Sequence, residues 1–156
     1  MFELNLLPKQ ADNRYQGNRY ALWFFVAFLL LMTWRSIIHM LFEETGYLDI
    51  ANFVLLVGEP DPMPVVFRFF SLWGFAQLIF CAVCWLVVFR YRSLIPLMYL
   101  FWLLEWTGRL WLYPLIREDL ISTGIYTNGV TPGVLGAPFV FGLLILFFAL
   151  SIKRAG

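Results

Sequence analysis

Residues 21–42 read ALWFFVAFLLLMTWRSIIHMLF. Arg35 is the only fixed charge in that run, and His39 follows it by four positions. At about 1.5 Å per residue the stretch is long enough to cross the roughly 30 Å hydrocarbon core of a bilayer. Three further runs of that kind follow, at 66–89, 94–112 and 134–152. Lipid offers no hydrogen bonds, so a spanning backbone must satisfy itself internally, which favours helices. The reading is an all-α integral membrane protein. It is a single membrane domain over 1–156, an antiparallel bundle of four transmembrane helices, with a short outer-surface helix at 47–57.

Composition agrees. The chain is 62% hydrophobic and 13% charged, against about half and about a quarter for a soluble domain. Mean hydropathy is +0.77. A soluble globule, a nucleic-acid binder and a disordered chain are excluded. The net charge of +1 says nothing about partners, whereas its distribution does. Lys9, Arg14 and Arg19 precede the first span, Arg90 and Arg92 sit between the second and third, and Lys153 and Arg154 follow the fourth. The alternate loops hold Arg117 among Glu43, Glu44, Asp49, Glu59, Asp61, Glu118 and Asp119. Positive charge stays on the cytoplasmic side, so both termini are expected there. Residues 1–20 are polar, contain Pro8 and lack the apolar core of a cleavable signal, so the first span serves as its own anchor. Phe2, Leu4, Leu6 and Leu7 suit the inner membrane surface or a partner protein.

The loops carry local signals. Residues 47–57 (YLDIANFVLLV) are apolar but too short to span, which predicts the outer helix. Pro60, Pro62 and Pro64 end it. Asn128-Gly129 and Thr131-Pro132-Gly133 are turn signals, and one helical turn is expected near 115–121. The two outer loops together suit a small cap. The turn between the second and third spans is short, which makes those helices antiparallel neighbours.

Ionisable residues inside a span are costly and face protein or water. Arg35 and His39 are four apart on the first span, with Glu43 one turn beyond. Glu105 and Arg109 are four apart on the third, in the favourable acid-first order. Arg68 opens the second span, and Gln77 lies deeper. The topology puts Arg35, His39, Arg68, Glu105 and Arg109 in the outer half, with Glu43 and Gln77 as further contributors. Pairing lowers the cost of burial, which predicts that the first and third spans are direct neighbours and that their charges converge. Arginine outnumbers acid there, so a loop carboxylate or a bound anion must balance the surplus. Ion pairs that only fix helix rotation, a lipid head-group site and proton transfer all fit this pattern.

Other signals are weaker. Cys81 and Cys84 form C-A-V-C within the second span, but no further Cys accompanies them and the single His lies toward the opposite side, so a metal site lacks ligands. With Ser71, Gly74 and Gln77 they form a small-residue face suited to close helix approach. Haem would need a second axial ligand from another chain. Seven Trp spread along the spans, some of them interfacial. No cofactor is expected, although a lipid or quinone would suit an arginine cluster.

The stretch RYRSLIPLMYL at 90–100, followed by Glu105 and Arg109, resembles small uncharacterised four-span membrane proteins of bacteria. The resemblance covers the middle third of the chain. It implies a bacterial inner membrane and carries no activity.

The chain has no nucleophile–base pair, metal constellation or phosphate-binding glycine loop, and little soluble mass to hold a substrate. The expected role is a non-enzymatic accessory or structural subunit of a larger membrane complex, with a polar cluster that binds a lipid head group. Its partners are lipids and other membrane subunits or further copies of itself. The alternative is a small membrane enzyme or carrier for an apolar molecule with an acidic head, lipid or quinone-like, where His39 or Glu105 moves a proton.

Overall fold

A computed structural model describes residues 6–118, 124–129 and 132–153. The expectations for Phe2, Leu4, Asp119, Thr131 and Arg154, and for a helical turn through 119–121, lie outside the described residues. Every regular element among the described residues is helical. Three helices are long and apolar enough to cross a membrane: α1 (Arg19–Leu41), α2 (Met63–Arg90) and α4 (Pro132–Ile152). Between α2 and α4 lies a composite run, 95–116. It consists of α3 (Ile95–Thr107), a π-helical turn at Gly108–Leu112 and a last turn at Tyr113–Ile116.

Each element starts and bends where its sequence requires. Asn18 caps α1, its Oδ1 accepting from Tyr20 N at 2.8 Å. Asp61 Oδ1 accepts from Met63 N at 2.9 Å, and Pro64 occupies the first turn of α2. In the composite run, Pro114 has no N–H to offer Leu110, and its ring would crowd that carbonyl. The helix widens over the preceding residues, and Tyr113 N reaches back to Gly108 O.

The closest packing joins α1 to α2. Ala21, Phe25, Phe28, Leu29, Met32, Ser36 and His39 form the buried stripe of α1. Gly74, Gln77, Cys81, Cys84 and Val88 form that of α2. A Cβ on Gly74 would sit 2.7 Å from Met40 N, so glycine is what lets the backbones approach. Polar bonds cross the same seam. Ser71 Oγ donates to Met40 O (2.8 Å), Ser36 Oγ to Gln77 Oε1 (3.1 Å) and Trp85 Nε1 to Thr33 Oγ1 (3.0 Å). Large apolar residues such as Trp23, Leu30, Phe69, Ile79 and Phe139 remain exposed on other faces, as lipid-facing helices require.

The first and third spans touch, as expected, but through large side chains and not through close backbones. Helix α4 packs against both α1 and α3, which leaves α1 and α3 diagonal. They meet through side chains: Phe25 on Tyr99 (4.9 Å between rings), Phe28 on Trp102 (5.1 Å), and Tyr99 OH donating to Ala21 O (2.6 Å). These large rings hold the two backbones apart and fill the centre. Helices α2 and α3, joined by the turn at 91–94, pack less closely than α1 and α2.

Both ends of the bundle are stitched. At one end Asp12 N donates to Ser93 Oγ (2.9 Å), Ser93 N to Asp12 O (3.2 Å) and Asn18 N to Leu150 O (3.1 Å). The Tyr15 phenol is buried beneath that strap, which pushes its pKa up. At the other end the expected helix over 47–57 occupies 43–50 instead, as Glu43–Thr45 followed by a π turn at Gly46–Ile50. Asn52 adopts φ +54° and ends it. The chain then runs extended: Val54 N donates to Tyr126 O (3.1 Å) and Asn128 N to Asn52 O (2.9 Å), linking the two loops.

Candidate functional site

The polar cluster lies in the half of the bundle nearer those loops. Arg35 and His39 come from the last turns of α1, Trp73 from α2, and Glu105, Trp106 and Arg109 from α3 and its π turn. Trp73 is its centre. The Arg35 guanidinium carbon stands 5.2 Å from the Trp73 ring centroid, and that of Arg109 stands 5.3 Å from it. Each guanidinium therefore uses the indole as a cation–π partner, a contact of about 0.5–2 kcal/mol. Arg109 also lies 5.8 Å from the Trp106 ring.

Charge is only partly balanced. Arg109 is ion-paired to Glu105 through its terminal nitrogen. Arg35 has no carboxylate within ion-pair distance among the described residues. About a third of the Glu105 and Arg109 side chains remains accessible, at 32% and 29%. Beneath that open edge, Arg109 Nε, Trp106 Nε1 and Glu105 Oε2 are buried without a hydrogen-bond partner among the described residues.

His39 is fully buried. Its ring stacks on Phe70 at 4.7 Å and meets the edge of Trp73 at 5.1 Å. Neither ring nitrogen has a partner among the described residues. Gly46 and Gly74 both press on this residue, since a Cβ on either would lie within 3.3 Å of it. The imidazole is thus walled in by aromatic rings and backbone.

The structure brings Arg35, His39, Glu105 and Arg109 together around Trp73. Gln77 lies one turn below Trp73 and bonds Ser36, on the helix seam. Arg68 is exposed and Glu43 half-buried, and neither forms an ion pair among the described residues. Trp73 was not singled out by the sequence, where it was one Trp among seven. The signal available was its position four before Gln77, the only amide inside a span. Among the described residues no group of His, Cys, Asp or Glu is arranged to hold a metal ion.

The arrangement can do one thing chemically without rearrangement: attract an anion to two guanidiniums of which only one is neutralised. No protein-family model matches the chain, and neither a curated protein sequence nor a solved structure matches it.

Proposed function

We propose that the protein crosses a bacterial inner membrane four times with both termini cytoplasmic. We further propose that it is a non-enzymatic accessory subunit which holds an anionic lipid head group between Arg35 and Arg109. The composite run supports a fourth crossing: at about 1.5 Å per residue, 95–116 is long enough for the hydrocarbon core despite its π turn. The observation that carries the head-group reading is Trp73, shared by two guanidiniums while a single carboxylate is paired with them. An uncompensated cation in the membrane half of a bundle is costly, and a lipid phosphate supplied from the adjacent leaflet relieves it.

Native mass spectrometry of the protein purified in mild detergent tests this. Anionic phospholipid should be retained by the wild type, and Arg35→Gln should lower its occupancy about tenfold, the loss of one charge-assisted contact. Equal retention by both proteins, or none by the wild type, refutes the site. A second reading, a carrier or enzyme for a quinone-like molecule, is favoured by one feature. His39 is buried beside Arg35 with both nitrogens unpartnered and could exchange a proton with a head group. A co-purifying quinone in place of phospholipid would decide for it.

A further inference from the structure

We infer that the cluster selects a head group bearing a single negative charge, a phosphodiester rather than a phosphomonoester, and that Glu105 sets this count. The inference rests on the head-group reading above and specifies its ligand. Two guanidiniums and one carboxylate around Trp73 leave one positive charge, with His39 counted neutral. Arg68 is exposed and Glu43 makes no ion pair among the described residues, so neither enters that count.

In a low-dielectric site the stable occupancy is the one that brings the buried sum to zero. A phosphodiester does so. A phosphomonoester carries about −1.5 to −2 near neutral pH and would leave negative charge beside Glu105. The geometry has room for this role. About a third of the Arg109 side chain is accessible, Arg35 is half-buried, and α2 and α3 pack less closely than α1 and α2. Glu105 and Arg109 share the same open edge, so the ligand meets the guanidiniums beside the carboxylate, whose charge it must tolerate.

The full-length protein in phosphatidylcholine nanodiscs can be offered phosphatidylglycerol and phosphatidic acid with identical chains, with bound lipid counted by native mass spectrometry. The wild type should prefer phosphatidylglycerol by about tenfold, a difference of about 1.4 kcal/mol. Glu105→Gln raises the cluster charge by one and should reverse the preference. Arg35→Gln leaves the Glu105–Arg109 pair intact, lowers the charge by one, and should abolish selective binding of either lipid. An unchanged ratio in Glu105→Gln overturns the inference while leaving the head-group reading in place. If Glu105→Gln does not fold, binding of phosphatidic acid by the wild type as tightly as phosphatidylglycerol overturns the inference equally and leaves the head-group reading in place. If neither lipid binds the wild type, the head-group reading itself fails. Dimethyl phosphate, the same diester without chains, should not compete; competition at equal concentration would overturn the assignment to a lipid.

Discussion

At Gly74 a single hydrogen atom in place of a methyl group decides how closely two helices cross. An added Cβ would lie 2.7 Å from Met40 N and 2.8 Å from both His39 C and His39 Cβ, and two of those atoms are backbone, which has no rotamer by which to yield. Gly74→Ala should therefore destabilise the bundle by about 1–3 kcal/mol, the usual cost of overpacking. Gly142 in α4 is the matched control, because nothing stands within 4 Å of its missing Cβ. Gly142→Ala should be neutral, or stabilising by up to about 1 kcal/mol through helix propensity. Thermal unfolding of both variants in one detergent checks the pair, and equal midpoints would refute the close crossing. The same residue shapes the site, since Gly74 follows Trp73 directly and fixes where His39 packs against it.

The elements differ in how far the sequence reveals them. Apolar runs locate α1, α2 and α4 to within a turn, because length and hydropathy are the whole requirement for a spanning helix. Hydropathy is blind to hydrogen-bond register, so the π turn at Gly108–Leu112 is invisible in it, although Gly108 and Pro114 mark the place. The run 47–57 misled for a related reason: its apolar residues serve a cap in which Asn52 turns left-handed and Val54 bonds the other loop. At the site, the cost of intramembrane charge points to Arg35, Glu105 and Arg109, whereas Trp73 has only its spacing from Gln77 in the sequence and is picked out by geometry. The N-terminal strap is not foreseen by the sequence as part of the fold: Asp12 and Asn18 bond the bundle's own end. Asn18 both caps α1 and bonds Leu150 O through its backbone. Asn18→Ala removes the cap and keeps the backbone bond, and should cost about 0.5–2 kcal/mol. Faster hydrogen exchange confined to the first turn of α1 would be its signature, and unchanged exchange there would count against the cap.

For the whole molecule, the stitched ends make topology a connected argument. Asp12, Ser93 and Leu150 are linked at one end, which gathers the N-terminal segment, the turn at 91–94 and the close of α4 on one side. Asn52 and Asn128 are bonded at the other. The chain leaves the first end at the turn near Ser93 and reaches Asn128 beside Asn52, so the run 95–116 is the segment available to carry it across. The charges divide mostly along the same line: Lys9, Arg14, Arg19, Arg90, Arg92 and Lys153 lie at the first end with Asp12, and Glu43, Glu44, Asp49, Glu59, Asp61 and Glu118 at the second with Arg68 and Arg117. Positive residues stay on the cytoplasmic side. Cys81 and Cys84 are buried, so replacing both with Ala clears the background for single cysteines placed at exposed positions. A membrane-impermeant maleimide applied to intact cells should label Asn128→Cys and not Lys153→Cys, and lysis should make Lys153→Cys reactive. If 95–116 does not cross, the chain passes the membrane three times, Asn128 returns to the cytoplasmic side and Lys153 emerges outside. The labelling pattern would then invert, and the stitching of Asn52 to Asn128 could not hold in the membrane-embedded protein.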